Sequence, residues 1–486
     1  MSLASNTGYA LLRHPSAGWL SLLMVAGCHG PGPEVRAGAS VVDITPDFEP
    51  YTDQNGNRRW DEGEPFDDQD GDAVPDSLWI GGFGLRQPTG IHDRLTCRTL
   101  ALEIFGERFS FTAVDALGLS LERIDSARLL ALAGDTSADL PPADRIIIAS
   151  THTHQAPDTV GVFGPSLTPG WDEAYLQRVE SGIAESIRSA FGALQPAELL
   201  LAVVEADQGF VIDIDSPDIR DPLVNILQLR APQHQVIATV VAVANHPEAA
   251  WAENTLLSAD YPGVLRERLE QRFGGTALYF SSDLGLMQTP DRSEPSGFDR
   301  VDRIGRAYAD AVIDSVQRAD PIAAEKLRPS FAATRIPIPL QNVELYAGIV
   351  SGVVEGYGRS LYSSESPPCA GALACLDAPV AALRLGDELT LFTVPGEICP
   401  ELVLGGIRLP DDYAGPYPDA PREEPLLSHV TTQRRMLLGL AQAEVGYLYP
   451  KCTHDPERHF SQGHGPGPDA AAAFNAGLGA LLDALR

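Results

Sequence analysis

The stretch 146-IIIASTHTHQAPD-158 decides the fold, because three isoleucines run directly into two histidines that lie one residue apart. A continuous apolar run bounded by polar residues is typical of a strand that is buried on both faces. Residues i and i+2 of a strand point to the same side, so His152 and His154 are predicted to share one side at the strand's end. Loops at strand ends are where α/β sheets bind ligands. The alternative interpretation is that two polar residues simply mark the exit of the strand.

Two further apolar runs end in a similar way. The run 236-VIATVVAVANHPEAA-250 reaches His246, and 389-LTLFTVPGEIC-399 reaches Glu397 after a Pro-Gly turn. Imidazole and carboxylate are ligands that a catalytic zinc prefers, with one position left open for water. These side chains form a metal site only if the strand ends converge, which the spacing by itself does not establish.

Strands and helices alternate along the rest of the chain. Strand pairs are predicted at 100–115, 223–245 and 379–396, each as two β-rich runs around a polar turn. Apolar spacing predicts helices at about 124–134, 171–194, 260–273, 297–319, 342–354, 434–444 and 469–485. Hairpins mixed with helices indicate an α/β fold class, a layered domain with mixed β-sheets that are flanked by helices.

Composition limits the function classes. The chain has 486 residues, 44% of them hydrophobic, and a formal net charge of −31, so it is globular and acidic. Nucleic acid is excluded as a partner, because a polyanion needs a basic face. No protein partner is evident. No composition break divides residues 37–486, which are predicted to form a single domain.

The N-terminus predicts export. The apolar segment 17-AGWLSLLMVAGC-28 has the length of a signal-peptide core and is too short to span a membrane as a mature helix. Its end, 25-VAGC-28, resembles a bacterial lipobox, in which Cys28 becomes the lipidated first residue. Residues 1–28 are therefore predicted to be a lipoprotein signal peptide, and 29–36 a tether. We expect a lipid-anchored protein of the bacterial cell envelope, with a secreted protein as the alternative.

The acidic insert 53-DQNGNRRWDEGEPFDDQDGDAVPD-76 has the spacing of calcium loops. Positions 1, 3, 5, 7, 9 and 12 of an EF-hand-type loop are filled by Asp53, Asn55, Asn57, Arg59 (through its carbonyl), Asp61 and Glu64. A second set consists of Asp68, Asp70, Asp72 and Asp76, with Trp79 where a glutamate is usual. Position 6 of the first loop is Arg58 instead of glycine. One or two structural calcium ions are predicted, with a solvated acidic loop as the alternative.

The cysteines offer one local crosslink. Cys369 and Cys375 flank a short step through Ala and Gly, and an exported protein permits disulfides. The pairing of Cys97, Cys399 and Cys452 is left open.

Several stretches together resemble the N-terminal, metal-binding domain of the neutral/alkaline (non-lysosomal) ceramidases and their short bacterial relatives. The matching stretches are 37-AGASVVDITP-46, 89-TGIHDRLTCRTLAL-102, 149-ASTHTHQAPD-158, 244-ANHPE-248, 258-SADYPG-263, 394-VPGE-397 and 438-LGLAQAEVGYLYPK-451. Each fragment is weak alone, but the set in this order is specific.

The resemblance implies one zinc ion per chain, held by His152, His246, Glu397 and Tyr447. It also implies that His154 transfers a proton or contacts the substrate. Sequence proximity suggests Tyr449 as an additional substrate-side group, and Ser296 is the positional candidate for the family's active-site serine, although the match around it is poor. The family's substrate-side arginine has no clear counterpart. Full-length ceramidases continue into a C-terminal domain, whereas 469-DAAAAFNAGLGALLDALR-486 is expected to form the last helix here.

The expected function is therefore zinc-dependent hydrolysis of an N-acyl (amide) bond in a small amphiphilic, lipid-like substrate, of which ceramide is one. The alternatives are a zinc hydrolase acting on another envelope amide or an ester, and a non-catalytic metal-containing lipoprotein that binds a lipid.

Overall fold

The computed structural model describes residues 35–486, apart from 70, 77, 134–139, 166–167, 207, 215–218, 290–295, 358–359, 410–412, 414 and 456–459. The predicted signal peptide with Cys28 and the acidic Asp70 lie outside the described residues. Val35 and Arg36, predicted as part of the tether, already belong to the first strand, where they pair with Ile104 and Glu103.

The main strands are β1 Val35–Asp43, β2 Thr96–Ile104, β3 Glu107–Val114, β4 Ile146–Ser150, β5 Glu198–Glu205, β6 Leu223–Arg230, β7 Val236–Val243, β8 Thr276–Ser281, β9 Pro329–Leu340, β10 Ala374–Leu385, β11 Leu389–Thr393 and β12 Arg434–Leu438. The helices are α1 Leu121–Ala133, α2 Glu173–Gly192, α3 Tyr261–Phe273, α4 Gly297–Val316, α5 Val343–Ser351, α6 Pro400–Leu404 and α7 Ala470–Ala484.

The strands form three mixed sheets with the same internal order: β4-β3-β2-β1, β8-β7-β6-β5 and β12-β11-β10-β9. Short edge strands extend the sheets at Gln195–Pro196, Pro321–Ile322 and Leu361–Tyr362. In each sheet the first three strands are antiparallel and the fourth is parallel to the third. The chain therefore runs three times through the order β-β-β-α-β-α, with α5 inserted in the third unit. The predicted layered α/β class with mixed sheets is confirmed.

The three sheets pack their inner faces into one core, which includes Leu100, Leu227, Val240, Leu383 and Leu391. Helices cover the outer faces: α1 and α2 lie on the first sheet, α3 and α4 on the second, and α6 and α7 on the third. Both faces of the central strands are thus buried, which explains why all eight residues of β7 are buried and why β4 reads as unbroken apolar sequence.

One element type was predicted wrongly. Residues 434–444 were expected to be a helix, but Arg434–Leu438 is the strand β12, parallel to β11. A short apolar run between polar residues has no clear period, and pairing with β11 in the third sheet makes it a strand. The other predicted helices and all three strand pairs are present, with boundaries that differ by a few residues.

Candidate functional site

The site lies where the parallel strands of all three sheets end. Strands three and four of each sheet are parallel, so their carboxyl ends meet at one edge. The first sheet contributes His152 after β4, the second contributes His246 after β7, and the third contributes Glu397 after β11. The predicted convergence of these three side chains is found.

His152 and His154 were predicted to lie together because residues i and i+2 of a strand share a side. The two rings do lie together, but this reason was wrong. Strand β4 ends at Ser150, and His152 has a φ of 67°, in the left-handed region that a non-glycine residue rarely adopts. The turn, and not strand alternation, brings the ring centroids of His152 and His154 to 4.8 Å. Strained backbone of this kind costs about 1–3 kcal/mol and is concentrated at functional sites.

Backbone carbonyls orient two of the imidazoles. Nδ1 of His152 lies 2.7 Å from the carbonyl oxygen of Leu117, and Nδ1 of His246 lies 2.8 Å from that of Met287. A carbonyl only accepts, so each Nδ1 donates its hydrogen and leaves the Nε2 lone pair directed into the site. Second-sphere contacts of this type fix the tautomer of metal-binding histidines.

Glu397 and Tyr447 complete the predicted ligand set. Oε2 of Glu397 lies 2.9 Å from Nε2 of His246 and 3.4 Å from Nε2 of His152. The hydroxyl of Tyr447 lies 3.4 Å from Nε2 of His246. The short parallel pairing of Glu397–Ile398 with Tyr447–Leu448 holds these two side chains side by side.

The charges of this group fit a bound cation. Burial alone would lower the pKa of His152, but the carboxylate of Glu397 outweighs it and raises the pKa. Burial alone would raise the pKa of Glu397, but His152 and His246 hold the pKa well below its usual range. Two imidazole lone pairs and a carboxylate oxygen at these distances repel one another unless a proton or a metal ion lies between them.

His154 is the third imidazole of the cluster. One ring nitrogen from each of His152, His154 and His246 falls within 4.8 Å of the others, a separation that a shared metal ion permits. Neither ring nitrogen of His154 has a hydrogen-bond partner among the described residues. Its Nδ1 is 3.8 Å from Oε2 of Glu248, whose pKa burial raises to about 7. Burial first, and then the neighbouring imidazoles, lower the pKa of His154 well below its usual range, so the ring is neutral.

The surroundings of His154 were missed by sequence reasoning. A Cβ on Gly82 would lie 2.5 Å from the His154 ring, so only glycine fits there. The guanidinium of Arg86, which is 1% exposed, donates to the carbonyl oxygens of His154 and Gly81. The His154 amide donates to the carbonyl oxygen of Pro247, which ties the two histidine motifs together. The local sequence feature that points to these contacts is the glycine-rich stretch 81-GGFG-84.

Two buried aspartates, Asp115 and Asp158, belong to the scaffold of the site. Asp115, after β3, forms a fully buried two-pronged ion pair with Arg266 of α3. Asp158 accepts the amides of Val160, Gly161 and Phe163 and so shapes the loop beside the histidines.

The histidine cluster lies in a cavity of about 920 Å³. One side is polar, with the histidines, Glu248, Glu397, Glu444 and Tyr447. The other is apolar, and its residues come from the 160–163 loop, from α5 and from the segment that follows: Val160, Val162, Phe163, Leu345, Ile349, Val353, Val354 and Tyr357. Cavities that bind small molecules combine a mostly apolar wall with a few convergent polar groups.

Ser296 and Tyr449 are not among the described residues that line this cavity. Ser296 is exposed and precedes α4 without a capping hydrogen bond from its side chain. Tyr449 is 2% exposed, packs against Leu286 and Cys399, and stacks on His454.

The first acidic loop is held together by hydrogen bonds among its own residues. Asp53 accepts the amides of Gly56, Asn57 and Arg58, while Asp61 accepts the side-chain amides of Asn55 and Asn57. Glu64 is buried and accepts the amides of Gln54 and Asp61. Arg58 takes a φ of 67°, the left-handed conformation for which glycine is usual at this position.

The second loop repeats this arrangement. Asp68 accepts the amides of Gly71 and Ala73, and Ala73, at position 6, has a φ of 61°. The carboxylate missing at position 12 has a substitute from outside the loop: Glu49 accepts the Gln69 amide, just as Glu64 accepts the Gln54 amide. Carboxylate oxygens of Glu49, Asp68 and Asp72 lie within 4.8 Å of one another.

The predicted local crosslink is present as the disulfide Cys369–Cys375. Cys97, Cys399 and Cys452 are buried free thiols.

No family model and no curated protein sequence matches the chain. Solved structures do match. The crystal structure of neutral ceramidase from Pseudomonas aeruginosa superposes with a TM-score of 0.65 at 18% identity, covering 94% of this chain and 75% of that one. A ceramidase complexed with C2 gives the same TM-score and identity and covers 94% of this chain and 76% of that one. The chain therefore has the fold of the neutral ceramidases, which confirms at the level of the fold the resemblance seen in its motifs.

Proposed function

We propose that this protein is a metal-dependent hydrolase of N-acyl (amide) bonds in lipid-like substrates, similar to the ceramidases whose fold it has. The observation that carries the proposal is the convergence of His152, His246, Glu397 and Tyr447, with His154 beside them, in a cavity with a long apolar wall. Imidazole and carboxylate donors favour zinc, and one zinc ion per chain suits this histidine cluster.

When bound, zinc lowers the pKa of a coordinated water to about 7 and polarises a carbonyl. The chain's own residues supply the remaining chemistry. Glu397 places a negative charge next to the two oriented imidazoles, and the hydroxyl of Tyr447 lies beside them. The apolar wall receives the acyl chain and excludes water from the reacting bond.

His154 is the proton carrier in this proposal. Its neutral ring accepts the proton of the attacking water as the new C–O bond forms. It then delivers that proton to the leaving nitrogen as the C–N bond breaks, so that amide and water give a carboxylic acid and an amine. Gly82 and the Arg86-bound carbonyl hold the ring in place.

The three-histidine grouping leaves a second arrangement open, in which His154 is itself a ligand. Elemental analysis of purified protein separates the two. We expect about one zinc per chain, lost in His152→Ala and retained in His154→Ala, while His154→Ala lowers kcat on an acyl amide by about 10²–10⁴-fold. Loss of zinc in His154→Ala would make it a ligand, and full activity of that variant would remove its assigned role. If wild-type protein that has never been exposed to a chelator contains no transition metal, the proposed hydrolase function is refuted.

We propose calcium for the acidic loops, one ion in each, as structural clips. The support is the repeated turn geometry and the substitution of Glu49 for the missing twelfth carboxylate. Extracellular calcium modules of this kind bind at about 10⁻⁴–10⁻³ M.

We also propose export and a lipid anchor at Cys28, supported by the sequence 25-VAGC-28 alone. No helix among the described residues has the length and apolar character needed to cross a membrane. Incorporation of labelled palmitate in the native host tests the anchor. We expect label in the wild-type protein and none in Cys28→Ala. A wild-type protein without label would indicate secretion without a lipid anchor.

A further inference from the structure

Arg58 joins the first acidic loop to the cavity, and the proposed chemistry does not use it. Its backbone belongs to the loop: the amide donates to Asp53 at 2.8 Å, and the carbonyl oxygen accepts the amide of Gln87 at 2.9 Å. Its side chain leaves the loop, lines the cavity and donates from Nη1 to the carbonyl oxygen of Ala252 at 2.7 Å. The acidic insert therefore places a guanidinium group at the wall of the cavity.

The loop itself does not need an arginine at this position. The φ of 67° at Arg58 is the conformation for which glycine is usual at position 6 of calcium loops. A larger residue there costs conformational free energy that glycine avoids, and strained residues are concentrated at functional sites. The side chain, and not the turn, therefore accounts for an arginine here.

The two arginines that line the cavity differ in how far their donors are used. All three guanidinium nitrogens of Arg86, which is 1% exposed, donate to oxygens of the protein. The side chain of Arg58 is partly exposed, and among the described residues it makes one hydrogen bond, to Ala252, and no ion pair. A guanidinium has five N–H donors, so Arg58 keeps enough of them to bind a carboxylate or phosphate through two hydrogen bonds.

The other charged groups of the cavity restrict where an anion can bind. Four glutamates line the cavity: Glu248, Glu344, Glu397 and Glu444. Carboxylates repel an anionic ligand, whereas a guanidinium next to it attracts the anion and fixes its orientation. An anionic group on a ligand is therefore favoured beside Arg58 and disfavoured beside the glutamates.

Arg58 lies on the side of the cavity that holds His154. The ring centroids of His154 and Phe83 are 4.9 Å apart, those of Phe83 and Trp251 are 4.7 Å apart, and Ala252 follows Trp251. His154 is the group proposed to protonate the leaving nitrogen, so the amine half of the substrate lies on this side. Because two aromatic rings separate His154 from the Arg58 contact, an anion there must be several bonds away from the amide nitrogen.

We propose that Arg58 is a specificity-determining residue that binds a carboxylate or phosphate group on the amine half of the substrate. This inference rests on the proposed amide hydrolysis and narrows its substrates to N-acylated amines whose amine half ends in an anionic group. The acyl chain of such a compound packs on the apolar wall, and its anionic end reaches the guanidinium.

The test compares N-lauroyl-ε-aminocaproate with N-lauroyl-ω-aminohexanol, which have the same chain length and differ in the charge of the end group. For the zinc-loaded wild type we expect kcat/KM to be about 5–30-fold higher for the acid, because the acid accepts a charged hydrogen bond from the guanidinium. In Arg58→Gly this ratio should fall below about twofold with zinc retained. Glycine adopts the positive φ without strain, so the loop should keep its shape.

Two further variants separate the guanidinium from the net charge of the protein. Arg58→Lys keeps the charge but loses the planar pair of donors, so part of the ratio should remain. Arg318→Gly removes the same charge from an exposed position that is not among the residues lining the cavity, and it should keep the full ratio.

N-lauroyl-ω-aminohexyl phosphate distinguishes the two kinds of anion in the wild type. A kcat/KM above that of the aminocaproate would assign a phosphate to the position beside Arg58, and a lower value would assign a carboxylate. Either preference should disappear in Arg58→Gly.

Three results would overturn the inference. They are equal kcat/KM for the acid and the alcohol in the wild type, an Arg58→Gly variant that keeps the preference, and an Arg318→Gly variant that loses it as well. If neither compound is hydrolysed, the proposed function fails separately, and calorimetric dissociation constants of the same compounds decide. Tighter binding of the acid that disappears in Arg58→Gly supports the inference, and equal affinities in the wild type refute it.

Discussion

The histidine centre and the acidic loop pair both gather donors for a cation, but they do so in opposite surroundings. His152 is 4% exposed and His246 is 1% exposed, and their positions are set by strands of different sheets. Most of the acidic side chains in the loops are exposed, and their positions are set by turns of a few residues. The core therefore fixes the histidine centre whether or not an ion is bound, whereas an ion in a loop stabilises mainly that loop.

The largest effect is expected at the histidine centre. His246→Ala removes a buried donor that Glu397 faces at 2.9 Å, so we expect loss of zinc and at least about a 10³-fold loss of amide hydrolysis. Circular dichroism should show an intact fold, because the sheets form without the ion. The exposed His234→Ala is the matched control and should keep both zinc and activity. Global unfolding of His246→Ala would contradict this contrast between the two sites, because it would show that the fold depends on the histidine centre.

A smaller effect is expected at the glycine behind His154. Gly82→Ala places a Cβ 2.5 Å from the imidazole, so the ring must move, and we expect kcat to fall by about 10–100-fold with zinc retained. Gly84→Ala separates this clash from backbone strain, because Gly84 also has a positive φ but no atom lies within 4 Å of its added Cβ. Equal losses in the two variants would attribute the effect to the backbone instead of to the His154 position.

At the acidic loops the expected effect is on stability. With 10 mM calcium, a dissociation constant of about 10⁻⁴–10⁻³ M predicts a rise in Tm of roughly 1–3 °C. Glu64→Gln should remove the part of this rise that the first loop contributes, while the exposed Glu62→Gln in the same loop should keep the whole rise. Amide hydrolysis with saturating zinc should be unchanged in both. If calcium does not change the Tm of the wild type, the loops are solvated acidic turns that bind no calcium.

The smallest effect is expected at Ser296. Its side chain is exposed and makes no capping hydrogen bond to α4, so Ser296→Ala should change kcat/KM by less than about twofold. A large loss of kcat/KM in a kinetic assay would instead indicate that Ser296 contacts the substrate, as its sequence position suggests.

Sequence reasoning reached the residues of the centre by two routes. Apolar runs that end in His152, His246 and Glu397 were visible because strands buried on both faces are nearly continuous in apolar residues. Tyr447 needed the family resemblance, since it lies outside every strand and helix predicted from the sequence. Arg86, Glu248 and Glu444 had no local pattern to assign them roles, because each acquires its place through contacts with segments that are distant along the chain.

The sequence by itself determined the local features of this protein: the strand pairs, the helices with clear periodicity, the turns of the first acidic loop and the Cys369–Cys375 crosslink. These depend on spacing within about 25 residues, which periodicity and turn chemistry encode. Only the tertiary structure decided that three sheets with the same strand order share one core, that their strand ends meet, and that Glu49 completes the second loop. The physical reason is that these features depend on packing between distant segments, which leaves no short-range periodic signal in the chain.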